Sequence, residues 1–303
     1  MTVHVPVSHH FTPVFYLNSW AAADGRVTRY YRPHRAVVAT PIAPKNTGFE
    51  DHLYSLRGVP AEQQAFLETH FFSPVDSRAA VAHRLLLAGK LKSLTSQHRE
   101  DWTRFLLCML LRNPFSMEEV RRLADQNVRA NLSVNDPEYN AVRKPGDPET
   151  IYDWTMKHQP LVIEEAYKRF LPGLIDHEGL GQHIMNMYWG TLDVSHASHS
   201  LLTGDRPVVF THGLQESNAV LLFPLSPSAL FIATNGPSRM GQVMQTKPSP
   251  HARMVNNEIV RCAVDFVIGC DASHLDFVER RLRKPEQEPV PGPVGKGRPN
   301  CPA

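Results

Sequence analysis

The chain lacks most features that mark secreted, membrane-spanning or zinc-binding proteins. Its 303 residues include four cysteines, and none of them lies in a Cys-x-x-Cys pair. This pattern favours reduced thiols over a disulfide framework or a zinc knuckle. No segment approaches the roughly 20 apolar residues that cross a bilayer, and residues 1–10 carry no basic stretch followed by an apolar one. We therefore expect a cytoplasmic protein with no membrane partner.

An excess of charge of one sign is also lacking. Lys and Arg number 32 against 30 Asp and Glu, so the formal net charge is +2. Without a global field, nucleic acid or another phosphate ester would be attracted only by a local basic patch. The segment from Arg280 to Lys284 is the one such patch in the sequence, although a solvated helix end has the same composition.

Several motifs of nucleotide and metal chemistry are absent as well. The sequence contains no Gly-x4-Gly-Lys-Ser/Thr loop, no Gly-x-Gly-x-x-Gly turn after a strand, no His-Glu-x-x-His helix and no protein-kinase signature. Nucleotide hydrolysis by a P-loop and dinucleotide redox chemistry therefore lose most of their support. What is present is 42% hydrophobic residues, enough for a sizeable buried core.

The first half of the chain predicts a β-hairpin followed by packed helices. Residues 11–17 and 26–31 are rich in β-forming side chains and flank the turn signal Asp24-Gly25. From Ala61 onward, apolar residues recur at spacings of three, four and seven, which is typical of amphipathic helices. A capping-box pattern at Ser116 and Glu119 predicts the start of another helix. An exposed Pro-rich loop is expected over residues 135–149, and a helix over 151–170 that stops near Pro172.

The last third of the chain changes to short β-rich runs. They lie at residues 187–194, 207–211, 219–223 and 230–234, separated by Gly and Pro turns. An amphipathic helix follows, with Val255, Ile259 and Val267 on one stripe, and a short helical run is predicted over 273–282. Beyond Arg283 the sequence is rich in Pro, Gly, Glu and Lys and has almost no core-forming residue.

These patterns predict an α+β fold. Its parts are an N-terminal β-hairpin, a central helical block, and a C-terminal antiparallel β-rich segment closed by the amphipathic helix. Residues 1–283 are expected to form a single domain, and residues 284–303 a disordered Pro/Gly-rich tail.

Four segments of the sequence resemble one known family. They are HHFTPVFYL at residues 9–17, LLRNP at 110–114, TGDRPVV at 203–209 and FPLSP at 223–227. In order and spacing they resemble a widespread, mainly bacterial family called domain of unknown function 4238, over nearly the whole chain up to about residue 280.

The resemblance implies a fold and supplies no activity. Its pattern includes the paired His start, an Arg-x-Pro helix ending, a Ser/Thr-Asp-x-Pro turn and an Asn near the start of the last helix, here Asn256 or Asn257. This chain departs from the pattern at the turn, where Gly204 separates Thr203 from Asp205. The candidate chemistry therefore has to be argued from the side chains.

His9, His10 and Asp205 are the candidate catalytic residues. Adjacent residues on a strand point to opposite faces, so at most one of the two histidines can enter a given site. An imidazole there could act as a general acid or base or as a metal ligand, and a carboxylate at Asp205 could orient it or act as the base. Alternatively, the histidines bond backbone carbonyls, and Asp205 accepts a backbone N–H two residues on.

Arg112 and Asn256 are the candidate binding residues. The guanidinium of Arg112, at the end of an apolar helix, could hold a phosphate or carboxylate with its planar fork, or it could simply face the carbonyl end of that helix. Asn256 could present its amide to a ligand, or it could be the N-cap of the last helix.

Two hypotheses from different classes follow. The leading one is a hydrolase of the nuclease or phosphoesterase type, whose site gathers His9 or His10, Asp205, Arg112 and Asn256 and would accept a divalent metal. The alternative is a non-catalytic interaction or ligand-binding module whose polar motifs are internal hydrogen-bond fasteners.

Overall fold

The computed structural model describes residues 7–57, 59–132 and 136–290, and helices dominate its middle. The α-helices, in chain order, are α1 Val14–Leu17, α2 Ala61–Gln64, α3 Ser73–Leu87, α4 Ser96–Leu111, α5 Pro114–Leu132, α6 Pro137–Val142, α7 Ile151–His158, α8 Val162–Ile175, α9 Glu178–Asn186, α10 Pro237–Gln245, α11 Pro248–Cys262 and α12 Leu275–Glu279. A π-helix at Leu67–Phe72 runs directly into α3.

The strands lie toward the two ends of the chain. They are β1 Ser8–His10, β2 Val27–Tyr31, β3 Val38–Ile42, β4 Phe49–Asp51, β5 Tyr188–Asp193, β6 Thr203–Gly204, β7 Val209–Phe210, β8 Val220–Ser226, β9 Ala229–Thr234 and β10 Val267–Gly269. All pairs are antiparallel, in a β1–β4 pair and two four-stranded sheets of order β3-β2-β10-β6 and β5-β9-β8-β7. The predicted α+β class is confirmed, as are its C-terminal strands.

The sheet β5-β9-β8-β7 is buried on both faces. On one face, Phe223 and Phe231 pack on Trp102 of α4 in the main core. On the other, Leu222 and Ile232 belong to a second core that includes Ile259 of α11. Helices therefore cover both faces of the sheet, which explains why β8 and β9 are almost continuously apolar.

The sheet β3-β2-β10-β6 joins the two ends of the chain. Strand β2 pairs with its sequence neighbour β3 and also with β10, so that Arg29 lies opposite Ile268. This arrangement brings the N-terminal quarter against residues that follow α11. The fold is therefore closed by contacts between residues more than two hundred positions apart.

The segment predicted as the first hairpin strand, residues 11–17, folds differently. The N–H groups of Phe11 and Thr12 both donate to Gly48 O, and the carbonyl of Pro13 accepts the N–H of Tyr16 and Leu17, starting α1. Tyr16 and Leu17 are both fully buried, which a half-buried strand does not allow for neighbours. The N-terminal hairpin is instead β2 with β3.

Three helix boundaries in the middle differ from the predicted ones. Helix α5 begins at Pro114, because proline suits the first turn of a helix. The residue that caps it is Asn113 and not Ser116: Asn113 Oδ1 accepts the backbone N–H of Ser116 at 2.9 Å. Within the predicted loop 135–149, Asp136 caps the short helix α6; residue 135 lies outside the described residues. The predicted helix 151–170 is two helices, α7 and α8, and α8 continues through Pro172 to Ile175.

The last amphipathic helix ends earlier than its apolar stripe. Helix α11 begins at Pro248, so Asn256 lies inside it and is not its N-cap. It ends at Cys262, and Val267 of the predicted stripe lies in β10. Tertiary contacts end the helix here: the carboxylate of Asp205 accepts the backbone N–H groups of Val264 and Asp265, and β10 then pairs with β2.

The predicted tail is only partly within the described residues. Residues 291–303 lie outside them, and within 284–290 the carbonyl of Val290 accepts a hydrogen bond from Arg206 at 2.6 Å. The single-domain assignment stays a prediction. Among the described residues, every helix is too short or too polar to cross a membrane.

Candidate functional site

Three of the four family-like segments meet at the buried side chain of Tyr16. Its hydroxyl donates to the carbonyl of Pro224 at 2.9 Å and accepts from the hydroxyl of Thr203 at 2.7 Å. Nearby, the indole N–H of Trp20 donates to Leu201 O at 2.8 Å. Buried polar groups paired in this way stabilise a unique packing. The HHFTPVFYL, TGDRPVV and FPLSP segments are therefore fastened to one another.

Tyr54 links His9 to Arg112, in the fourth segment. The Tyr54 backbone N–H donates to His9 Nδ1 at 2.9 Å, and the two rings stack with centroids 5.4 Å apart. The Tyr54 hydroxyl donates to the carbonyl of Arg112 at 2.7 Å. Because Nδ1 accepts a hydrogen bond, the neutral ring of His9 carries its proton on Nε2.

Arg112 is the central charge of a buried polar cluster. Its guanidinium is fully buried and donates to Asp76 Oδ1 at 2.9 Å, and burial raises the pKa of Asp76 although Arg112 opposes the rise. The charges of Asp76 and Arg112 both act on the pKa of Glu68. Burial and Asp76 raise the pKa of Glu68 to about 7, against the effect of Arg112. Among the described residues, Glu68 Oε2 has no hydrogen-bond partner.

His10 follows His9 on β1, so its side chain points to the opposite face of that strand. It is half-buried, and its Nε2 donates to the carbonyl of Lys45 at 3.1 Å. Burial lowers the pKa of His10, and the positive charge of Arg112 lowers it further. Of the predicted site residues, the structure thus brings His9 and Arg112 into contact with Tyr54, whereas His10 contacts Lys45 and Phe49.

Asp205 binds the backbone between α11 and β10. Its Oδ2 accepts N–H groups from Val264 at 3.0 Å, Asp265 at 2.5 Å and Phe266 at 3.3 Å. Burial raises the pKa of Asp205 to about 7, although the backbone N–H groups lower it. Its contacts are therefore with a segment sixty residues downstream rather than within its own turn.

Asn256 binds another stretch of backbone. Its Oδ1 accepts the N–H of Leu202 and its Nδ2 donates to Ser200 O, both at 2.8 Å. The amide is buried and satisfied on both sides. Asp205 and Asn256 thus each hold a different connection of the fold, whereas His9 and Arg112 both contact Tyr54. Within the residues that the structure describes, no group of three or more His, Cys, Asp or Glu side chains is arranged to hold a metal ion.

The sequence did not predict Glu68 as part of this cluster. It lies on the π-helix Leu67–Phe72, a conformation that is rare and often found at functional sites. The available signal was a lone acid between Leu67 and the pair Phe71-Phe72. That signal is weak, because its two charged neighbours come from positions 76 and 112.

A cleft that was not predicted from the sequence lies between α4 and the α8–α9 pair. Its larger part is a hollow of about 840 Å³. Its wall is mostly apolar, with two histidines at its edge, and includes Leu107, Leu110, Leu111, Leu174, Leu180 and His183. The loop 213–216 forms the remaining side, where His183 Nε2 donates to Leu214 O at 2.9 Å. The clue was the continuous apolar run 105–111, which exceeds what one buried helix face requires.

A smaller polar hollow of about 420 Å³ lies beside the apolar one. The two parts share Leu107 and His177. The polar part is lined by Glu100, Thr103, Arg104, Asp176 and Glu178. An apolar and a polar hollow are therefore neighbours on this side of the molecule.

Comparison with known proteins agrees with the resemblance seen in the sequence. The family model described as "Protein of unknown function (DUF4238)" matches residues 8–273. No curated protein and no solved structure matches the chain. The matched region contains all four family-like segments together with the Tyr16, Tyr54 and Arg112 contacts. The chain therefore belongs to the DUF4238 family of proteins of unknown function.

Proposed function

We propose that this protein is a non-catalytic ligand-binding module that takes an elongated, largely apolar small molecule into the cleft between α4 and α8–α9. The observation that carries the proposal is the hollow of about 840 Å³. Ligand sites are typically clefts of about 300–1,000 Å³ with mostly apolar walls and a few polar groups.

The contacts of the predicted site residues support the same proposal. His9, Asp205 and Asn256 are buried, and the hydrogen bonds described for them go to backbone groups. Leaving such partners unsatisfied costs about 1–3 kcal/mol each. These side chains therefore have a structural reason to be present that requires no reaction.

Exposed leucine in the cleft is a further support. Leu174 is 40% exposed on the wall of the apolar part, and Leu110 is half-buried beside it. A ligand that covers these side chains would remove apolar surface from water, at about 25 cal/mol per Å². The cleft thus offers binding free energy that the unliganded chain does not use.

Binding of the neutral fluorescent probe N-phenyl-1-naphthylamine to the full chain tests the proposal. We expect saturable binding, weakened about tenfold by the double substitution Leu110→Gln and Leu174→Gln, because each removes apolar contact worth a good fraction of a buried leucine. Phe170→Gln is the matched control, since Phe170 lies on the same helix, is 67% exposed and is not part of the cleft wall. Equal loss in the control, or none in the double variant, would refute the proposal.

A second candidate function is the hydrolase predicted from the sequence. It is favoured by one observation, the Glu68 carboxyl, whose pKa of about 7 suits a general acid or base at neutral pH. Under this proposal the half-buried His10 takes a proton from the attacking water, whose oxygen bonds to phosphorus, and Glu68 gives its proton to the leaving alcohol oxygen as the P–O bond breaks. The charge of the buried Arg112 stabilises the anion. The catalytic roles of His9 and Asp205 and the binding role of Asn256 belong to the same proposal.

Turnover of p-nitrophenyl phosphate and bis(p-nitrophenyl) phosphate, with and without Mg²⁺ or Mn²⁺, tests this second candidate. Activity should fall at least a hundredfold in Glu68→Gln, within the range typical of general acid–base catalysis. It should be unchanged in Glu149→Gln, an exposed acid on the loop before α7. Equal activity in Glu68→Gln and the parent chain, or no turnover in the parent, would rule it out for these substrates.

A further inference from the structure

We infer that a hollow between the loop 195–200, α11 and α12 binds the phosphate group of a phosphate monoester. This arginine hollow has a volume of about 270 Å³, and its wall includes Ser198, His199, Arg253, Asp276, Arg280 and Arg281. It shares no wall residue with the apolar cleft and goes beyond the proposed function. Sites that enclose a whole small molecule typically measure roughly 300–1,000 Å³, so the smaller size suits a charged head group.

Positive charge converges on the arginine hollow from two parts of the chain. Arg253 lies on α11, whereas Arg280 and Arg281 directly follow α12 and belong to the basic patch of the sequence. Within the described part of the chain, the guanidiniums of Arg253 and Arg280 make no hydrogen bond or ion pair, and Asp276, the one carboxylate on the wall, pairs with none of the three arginines. Three cations against one anion repel one another, and a bound anion would remove that repulsion.

Arg281 is held in position without being neutralised. Its Nε donates to Asn257 Oδ1 at 3.0 Å, its Nη1 donates to the carbonyl of Phe277 at 3.2 Å, and the guanidinium lies 4.0 Å from the centre of the Phe277 ring. All three of these contacts are with uncharged groups. Arg104 and Arg112, by contrast, pair with carboxylates. The fold therefore fixes a planar cationic fork on the wall of the hollow, which lowers the entropy cost of binding an anion there.

The loop 195–200 adds neutral donors to the same hollow. The backbone N–H of Ser198 donates to Ser249 Oγ at 3.0 Å, which anchors the loop to the first turn of α11. The ring of His199 packs on the buried ring of His274, with centroids 5.8 Å apart. A serine hydroxyl and an imidazole N–H are both donors that phosphate oxygens accept. The wall thus combines fixed positive charge with hydrogen-bond donors.

Charge and size together favour a monoester over other anions. A phosphate monoester carries about −1.5 to −2 charge at pH 7 and three strong acceptor oxygens, which matches three guanidiniums whose charge is offset by a single carboxylate. A carboxylate or a sulfate ester brings one negative charge. A phosphodiester also brings one, with an ester chain on both sides that a hollow of about 270 Å³ does not enclose.

Calorimetric titration of the full chain at neutral pH with glucose 6-phosphate and glucose 6-sulfate tests the inference. The two probes share one polar body, which is unsuited to the leucine-lined cleft, and differ in headgroup charge. We expect the phosphate to bind about fivefold more tightly, the most that one exposed ion pair contributes. An O-phosphoserine tripeptide is the third probe. Tighter binding of the tripeptide than of the sugar phosphate identifies a phosphorylated protein as the source of the monoester, and weaker binding identifies a phosphorylated small molecule.

Substitutions on the wall complete the test. The double substitution Arg253→Gln and Arg280→Gln removes two exposed charges that make no contact within the described chain, so the fold stays intact, and it should weaken glucose 6-phosphate about tenfold. Arg281→Gln should also weaken it about tenfold, in the range of one hydrogen bond to a charged group. The matched control, Arg78→Gln with Arg143→Gln, removes the same charge from exposed arginines outside the hollow and should change nothing.

Four results would overturn the inference. They are the absence of phosphate binding, equal affinity for the phosphate and the sulfate, an affinity that the Arg253 and Arg280 substitutions leave unchanged, and an equal loss in the control pair. Tighter binding of an oligonucleotide without terminal phosphates would also overturn it, because the ligand would then be a phosphodiester. N-phenyl-1-naphthylamine should bind this double variant as tightly as the parent chain, so the proposed function of the cleft is tested separately.

Discussion

Replacing Asp205 separates a structural role of the sequence motifs from a catalytic one. In Asp205→Ala, the backbone N–H groups of residues 264–266 lose their acceptor in the interior. Each buried donor left unsatisfied costs about 1–3 kcal/mol, but loss of the carboxylate also removes the cost of burying a charge. We therefore expect a net loss of about 2–5 kcal/mol in the free energy of unfolding.

The pH dependence makes this prediction sharper. Burial raises the pKa of Asp205 from 3.8 to about 7, so between these values the folded chain binds more protons at this site than the unfolded chain. The stabilisation of the folded chain by protonation of Asp205 is fully present below pH 3.8 and is lost as the pH rises through 7. Of the range from pH 5 to pH 8, about two pH units lie below the folded-state pKa of about 7. Over each of them the free energy of unfolding falls by about 1.36 kcal/mol. Relative to the neutral variant Asp205→Asn, the parent chain should therefore lose about 3 kcal/mol of stability.

Urea unfolding at pH 5 and pH 8, followed by tryptophan fluorescence, measures both effects. Asp205→Asn keeps one oxygen for the backbone donors and carries no charge, so it isolates the ionisation. Catalytic residues are often replaced without loss of stability, because active sites are commonly strained. If Asp205→Ala unfolds at the same urea concentration as the parent, or if the difference from Asp205→Asn does not depend on pH, the fastener role of Asp205 is wrong.

Three further substitutions follow from buried contacts. Asp76→Ala leaves the fully buried guanidinium of Arg112 without its carboxylate and should cost about 3–5 kcal/mol, read from the urea midpoint; an unchanged midpoint would contradict the ion pair. Asn256→Leu removes two hydrogen bonds of 2.8 Å and should cost about 1–3 kcal/mol for each backbone group left unpaired, whereas a melting temperature equal to that of the parent would show that water replaces the amide. Burial lowers the pKa of His83 from 6.5 to about 4, so the free energy of unfolding should fall by about 3 kcal/mol as the pH falls from 6.5 to 4. His83→Gln should lose correspondingly less stability over this pH range, as measured by the unfolding midpoints.

Much of the candidate site was beyond prediction from sequence. The position of Arg112 at the end of an apolar helix was correctly identified, but its partner Asp76 comes from a neighbouring helix and has no local signal. Glu68 was missed for the same reason, since its raised pKa depends on burial and on Asp76. The cleft was missed because a leucine-rich helix reads as core until the neighbouring helices are in place. A side chain's chemistry is set by what surrounds it, and those neighbours are distant in the sequence.

By itself, the sequence determined the elements whose periodicity and composition are local. Strands β5, β8 and β9 and the helices from α3 to α5 follow from runs of β-forming residues and from spacings of three and four, and the four segments that mark the family are likewise read directly. Tertiary structure decided the rest. Residues 14–17 form a helix because their side chains enter the core and Gly48 holds the backbone of Phe11 and Thr12 just before it, and α11 ends at Cys262 because Asp205 accepts the N–H groups of residues 264–266. Local propensities differ by less than about 1 kcal/mol per residue, so a buried hydrogen-bonding partner from a distant segment outweighs them.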